Sequence, residues 1–186
     1  MEKILFKELN IDDVKMDFLN DFDRYQEISE YYARENGNWI IKKHEIVKVI
    51  NWDKEYKDRR STNLSNMLIK GGYAFGVYEN GKLVGFATIL NEKFGTKKQY
   101  VELKYFYISF NYRNKGIGKK LFGLCIEKAK DIGIEKIYIS ANSSVESQNF
   151  YLSMGCKDAM EMKEGYRNNE DERQMEYTII KQKTCT

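Results

Sequence analysis

Between Tyr100 and Asp131 the spacing of apolar residues changes from strand-like to helical, and the change falls on a short basic loop that contains two glycines. Tyr100 to Ser109 is rich in Tyr, Phe, Val and Ile and reads as a strand. From Gly116 onward, Ile117, Leu121, Leu124, Cys125 and Ala129 recur at helical spacing until Asp131-Ile132-Gly133. Strand, glycine loop and helix in that order point to a mixed α/β domain.

The flanking segments extend this pattern. Tyr73–Tyr78 and Leu83–Leu90 are β-rich runs separated by Glu79-Asn80-Gly81-Lys82, and an Asn-Gly turn between two such runs signals a hairpin. Downstream, residues 134–140 read as a strand, and Val145–Met154 as a short helix ending at Gly155. Late strands are expected near 157–163 and 173–181, and an early one at 3–9. Residues 13–70 read as mostly helical, starting after Asn10-Ile11-Asp12-Asp13 and broken near Glu35-Asn36-Gly37-Asn38. The middle is thus a β-meander followed by β-α-β-α-β. With 186 residues, 42% apolar, and neither repeat nor linker, the economical reading is one domain over 1–186. Within it, 10–70 forms a helical arm and 73–181 the core.

Composition removes several function classes. Thirty-one basic against 28 acidic side chains leave a net charge of +3, too balanced for a globally cationic nucleic-acid binder. No apolar run approaches the roughly 20 residues of a membrane span. The N-terminus returns to charge too soon for a signal peptide, so a cytoplasmic location is expected. Cys125, Cys156 and Cys185 show no metal-ligand spacing, and with His44 the single histidine no metal site is expected. His44 lies in the charged run Lys42-Lys43-His44-Glu45 with no nucleophile motif nearby, which disfavours a catalytic triad.

The segment Arg113-Asn114-Lys115-Gly116-Ile117-Gly118-Lys119-Lys120 carries four cations and no acid. Its glycines let backbone approach a ligand closely, and the helix starting there points unpaired N–H groups and a positive dipole end outward. These are the parts of an anion cradle suited to a pyrophosphate. It is not a Walker A loop, because the glycine spacing and the Ser/Thr are missing, nor a dinucleotide fingerprint, because Leu121 stands where the third glycine belongs. The plainer reading is a glycine-softened helix start with a solvated basic face.

Arg113-x-x-Gly116-x-Gly118 after an aromatic-aliphatic strand resembles the acyl-CoA-binding motif of the GCN5-related N-acetyltransferase (GNAT) family. Ser147-Gln148-Asn149-Phe150-Tyr151-Leu152-Ser153-Met154-Gly155-Cys156 is similar to a later signature of the same family, and the two motifs stand in the family's order. The resemblance covers residues 73–181 well and the first seventy weakly. It implies a single α/β (α+β) domain with a mixed, mostly antiparallel central sheet flanked by helices. It also implies acetyl-CoA as co-substrate, an amine acceptor, direct attack in a ternary complex, and a possible homodimer.

By that resemblance, the backbone of Arg113, Asn114, Lys115, Gly116, Ile117, Gly118 and Lys119 would bind the pyrophosphate. The pantetheine arm would pair with backbone at Ile108, and the Phe106 amide would donate to the thioester oxygen. Such pairing needs a splayed sheet edge, so a bulge is expected near Phe106–Ile108. Tyr151 corresponds to the tyrosine that protonates the departing thiolate. Ser144 stands where the family often has an asparagine beside the cofactor; Asn142 is close enough to substitute, and Asn149 belongs to the same set. An amine of pKa near 10.4 is about 3.4 units too protonated at pH 7, roughly 4.6 kcal/mol to overcome. Glu102 matches the strand glutamate used as general base by histone-acetylating members. Strand parity would put Glu102, Lys104, Phe106 and Ile108 on one face, with Glu102 some 13 Å from Phe106, so that transfer would need a water chain. The competing role for Glu102 is a cross-strand partner for a lysine.

Residues 12–30 hold seven acids against Lys15 and Arg24, interleaved with Phe18, Phe22 and Tyr25, and Tyr31 and Tyr32 follow directly. This suggests a small cationic amine acceptor, with peptide amines open and an amphipathic solvated face as the plainer reading. The alternatives to catalysis are a non-catalytic CoA- or nucleotide-phosphate-binding domain and nucleic-acid binding through 113–120. Proline is absent from the chain, and Phe110 stands where family members often have one. Packing of Phe110 and Tyr112 must therefore set the turn into the cradle.

Overall fold

The computed structural model describes residues 3–166 and 172–179. Twelve regular elements follow one another. They are β1 (Leu5–Leu9), β2 (Gln26–Glu35), β3 (Asn38–Ile50), α1 (Lys54–Ile69), β4 (Tyr73–Glu79), β5 (Lys82–Ile89), β6 (Tyr100–Ile108), α2 (Ile117–Asp131), β7 (Lys136–Asn142), α3 (Val145–Ser153), β8 (Lys157–Asp158) and β9 (Glu172–Thr178). Seven strands form one sheet in the order β1-β4-β5-β6-β7-β9-β8, in which β6–β7 alone is parallel. The expected α/β class and mostly antiparallel sheet are therefore present. The late strands are shorter than the sequence suggested, and positions 180, 181 and Cys185 lie outside the described residues.

The helical arm expected over 13–70 is corrected. Only α1 is a regular α-helix there, and residues 26–50 form a separate antiparallel ribbon of β2 and β3. Asn36 and Gly37 have φ of 50° and 82°, close to 49° and 78° at Asn80 and Gly81. Both turns therefore have the two consecutive positive φ angles of the tight hairpin connection whose twist matches that of its strands. The break at Asn36-Gly37 was a hairpin tip, and β-branched residues such as Ile40, Ile41, Val47 and Val49 favour the extended chain around it. The ribbon rests on the α3 region: the Tyr32 N–H donates to the Ser143 carbonyl at 2.8 Å, and the Tyr32 hydroxyl to Asn149 Oδ1 at 2.9 Å. His44 stacks on Tyr31 at 4.3 Å between ring centres.

Alternation along the strands divides the core between the two sheet faces. On one face, Leu121, Phe122, Cys125 and Ala129 of α2 pack on Val77, Val84, Ala87, Val101 and Leu103. On the other, Leu64 of α1 joins Leu19, Phe22 and Trp52 over Ala74, Phe86 and Tyr105. Asp53 caps α1 by accepting from the Tyr56 N–H at 2.8 Å. Among the described residues no helix is long and apolar enough to cross a membrane.

Two irregularities open the middle of the sheet. β6 and β7 pair only over Tyr100–Glu102 against Lys136–Tyr138 and then diverge. On the other side of β6, Thr88 faces Tyr105 while Ile89 faces Leu103, which leaves Lys104 as the extra residue of a bulge. The bulge thus lies at Lys104, just before the expected position at Phe106–Ile108.

Candidate active site

The divergence of β6 from β7 forms a cleft of about 820 Å³. Phe106, Ile108, Arg113, Asn114, Gly116, Gly118, Lys119, Asn142, Asn149 and Tyr151 all line it, so two sequence motifs far apart in the chain meet across one opening. Lys115 and Ile117 are not on its wall. The Lys115 ammonium lies over the Tyr112 ring at 5.3 Å, and the Ile117 side chain is in the core.

The cradle owes its shape to local backbone geometry. Asn114 and Gly116 have φ of 59° and 78°, and left-handed Gly116 is the N-cap of α2. No side chain caps this helix, so its first amides keep their donors. A Cβ at Gly118 would come within 3.1 Å of the Phe150 ring, so a bare backbone here lets α2 and α3 close on each other. Phe110–Tyr112 form the 3-10 turn that leads into the cradle. Phe110 packs edge-on to Tyr25 at 5.1 Å and the Tyr112 hydroxyl donates to Glu79 at 2.5 Å, which does the work of the absent proline.

Arg113 is tied down inside the protein. Its Nε donates to the Ile108 carbonyl at 3.1 Å, Nη2 to the Tyr25 carbonyl at 2.8 Å, and Nη1 lies 3.5 Å from Glu146. The same contacts occupy one side of the Ile108 carbonyl. Ser144 caps α3 through the Ser147 N–H and donates to Asn142 Oδ1 at 2.7 Å, so the Asn142 amide nitrogen is the end left for a ligand.

Tyr151 is 8% exposed, packed among Phe106, Phe122 and Phe150, and on the cleft wall. Burial pushes its hydroxyl pKa well above the usual tyrosine value, so the phenol carries its proton at neutral pH. A protonated donor held among aromatic rings on the cleft wall is suited to meet a developing thiolate.

Glu102 is placed differently from the parity expectation. Before the bulge, Val101 and Leu103 face α2; after it, Phe106 and Ile108 do, so Glu102 is on the opposite face from Phe106. It is buried, is not on the cleft wall, and receives Lys163 Nζ at 2.8 Å, Lys104 Nζ at 3.0 Å and the Tyr166 hydroxyl at 2.8 Å. Burial alone would raise its pKa, but Lys163 and Lys104 outweigh it and hold the carboxyl below the usual range.

The acids of residues 12–30 do not face the cleft. Asp13 pairs with Lys7 at 2.5 Å, Asp23 accepts from the Tyr25 N–H at 2.9 Å, Glu27 holds the Tyr25 hydroxyl, and Glu30 is 3.8 Å from Lys43. Phe18 and Phe22 are spent on Phe86 in the core. From this stretch the wall takes Arg24 and Gln26 instead. Lys104, set by parity beside Phe106 and Ile108, lines the wall with them, whereas sequence reasoning missed Tyr107 on β6, Glu146 in the first turn of α3, and Glu172, brought there by the β7–β9 pairing. The Asn142–Glu172 register is one that no local pattern announces. Among the described residues no group of three or more His, Cys, Asp or Glu gathers as a metal site would require.

Comparison with known proteins agrees with this geometry. The model of the acetyltransferase (GNAT) family matches residues 21–156. Nourseothricin acetyltransferase superposes with a TM-score of 0.69 at 12% identity, over 95% of this chain and 99% of that one. A putative streptothricin acetyltransferase from Bacillus anthracis, in complex with acetyl coenzyme A, gives 0.67 at 15% identity over 94% and 96%. The PaiA N-acetyltransferase of Thermoplasma acidophilum, in complex with coenzyme A, gives 0.61 at 18% over 95% and 99%. No curated protein matches the sequence. The likeness in structure shows the shared fold, and the family match shows the kinship: the chain belongs to the GNAT family of acyl-CoA-dependent N-acetyltransferases.

Proposed function

We propose that this protein transfers an acetyl group from acetyl-CoA to a primary amine of a small molecule or peptide, by direct attack within a ternary complex. The observation that carries the reading is the meeting of the uncapped α2 N-terminus, the open half of β6 and the buried Tyr151 phenol along one cleft. The cradle amides and Lys119 hold the pyrophosphate, the pantetheine arm takes the place of the missing neighbour of β6, and the Phe106 amide polarises the thioester oxygen. The amine nitrogen attacks the carbonyl carbon, the C–S bond breaks, and Tyr151 supplies a proton to the departing sulfur.

For the base we take Glu172 in place of Glu102. Glu172 stands on the cleft wall, directly opposite Asn142 in the sheet, whereas Glu102 is sequestered by two lysines. Thiol release followed over an amine panel tests the reading, together with calorimetry of acetyl-CoA against ATP. Acetyl-CoA should bind more tightly than ATP, and equal affinity would sink the assignment. Tyr151→Phe should lower kcat by about tenfold or more while leaving cofactor affinity within twofold.

A further inference from the structure

Four cationic side chains line the cleft, Arg24, Lys104, Arg113 and Lys119. Three have their charge accounted for. Lys104 is 3.0 Å from Glu102, Arg113 is 3.5 Å from Glu146, and Lys119 sits at the cradle, where phosphate oxygens belong. Arg24 differs from all of them. It is 5% exposed, its hydrogen-bond partner is the neutral Gln26 Oε1, 2.9 Å from Nη2, and its Nε and Nη1 are buried without any partner.

The Tyr107 and Trp52 rings cover the guanidinium at 5.1 and 5.8 Å. Stacking of this kind serves the face of the group, while its donors lie in the plane and stay unmet. Burial lowers the pKa of Arg24 and the neighbouring Arg113 adds to that effect, and the opposing pull of Tyr107, of Glu146, which makes no direct bond to it, and of Tyr56 does not cancel it. A buried cation with idle donors is costly unless an anion completes it.

We infer that Arg24 receives a carboxylate carried by the acceptor, which makes the substrates of this cleft amino acids or related amino-carboxylates. The inference rests on the acetyltransferase reading and narrows its acceptor. The position of Arg24 favours the acceptor over the cofactor. Its ring partners Trp52 and Tyr107 belong to the α1-side core, across the sheet from the core that α2 covers, and the cradle lies at the α2 N-terminus. Gln26 fixes the guanidinium edge and donates from Nε2 to Glu146 at 2.9 Å, and Glu146 in turn meets Arg113. One polar chain thus joins the carboxylate subsite to the cradle. Because Nε and Nη1 are closed off, the guanidinium has to turn toward the cleft to engage the carboxylate, while its charge acts over several Å without any turn.

The test compares ω-amino acids of three to six carbons with their neutral amides, as titrants of the CoA-saturated protein followed by NMR and as substrates followed by thiol release. At one chain length or more, the wild-type protein should bind and acetylate the acid at least tenfold better than the amide. Arg24→Met should bring that ratio within threefold and Arg24→Lys should restore part of it. Arg24→Met should also keep or raise Tm, since it removes an unpaired buried charge, whereas a purely structural arginine would lower Tm on removal. Equal handling of acids and amides, no binding of any acid, or a preference that survives Arg24→Met would each overturn the inference. A tenfold loss of acetyl-CoA affinity with unchanged acceptor preference would assign Arg24 to the cofactor and overturn it as well. Failure of the broader reading is separate, and shows as absent acetyl-CoA binding in calorimetry.

Discussion

At Glu102 the two carboxylate oxygens receive two lysines and a tyrosine, and at Glu172 a carboxylate stands on the wall of the opening. The proposed base is Glu172, which would leave Glu102 a structural acid, and substitution distinguishes the two. Glu102→Gln should cost roughly 2 kcal/mol of stability, because it strips a charge from a buried ion-paired group, yet change kcat by less than about threefold. Glu172→Gln should leave stability nearly intact and lower kcat by about a hundredfold. Both comparisons need only denaturant melts and initial rates. Tyr151 and the glycine loop, which meet on one cleft, stand out in the sequence because their motifs are local. Parity misplaces Glu102 because it is counted along the strand, and one extra residue at Lys104 reverses the count for everything before it.

Among the elements, the hairpin at Asn80-Gly81, the strand at 100–108 and the α2 boundary could be read from turn chemistry and periodicity. The β2–β3 ribbon carries the same Asn-Gly signal, yet its composition favours a helix. Its flanks are rich in Glu, Lys and Arg, which suit a helix by propensity, and its outer face is so exposed that no clean alternation marks it; Ile46 is 84% exposed. Two substitutions test what shapes the cleft. Gly116→Ala places a Cβ on a residue with φ of 78° and should cost about 1 kcal/mol while weakening acetyl-CoA binding by calorimetry, through distortion of the cradle. Ser144→Ala removes the α3 cap and a partner of Asn142. It should lower Tm by about 2–4 °C, the equivalent of about 1 kcal/mol in a chain of this size.

For the molecule as a whole, stability should fall in acid. The carboxyls of Glu102 and Glu176 are both held below the usual range against the opposing effect of burial, Glu102 by Lys163 and Lys104, and Glu176 by the Tyr100 hydroxyl, Lys136 and the Met160 N–H. A depressed folded-state pKa contributes stability above the unfolded value of 4.5, and that contribution is lost as pH falls through the folded value. Urea midpoints should therefore be flat from pH 7 to about 5 and drop below about pH 4.5. Glu102→Gln should flatten that drop.

The seven-stranded sheet is continuous in order but nearly cut in two, since β1-β4-β5-β6 and β7-β9-β8 share only the three residue pairs at Tyr100–Glu102. One core still runs beneath both halves, but their backbones meet only along that short seam, so a molecule that spans the gap beyond it adds contacts to both. Saturation with acetyl-CoA at a hundred times Kd should add about 2.7 kcal/mol, and amide exchange should slow on both lips of the seam, residues 104–108 and 139–142.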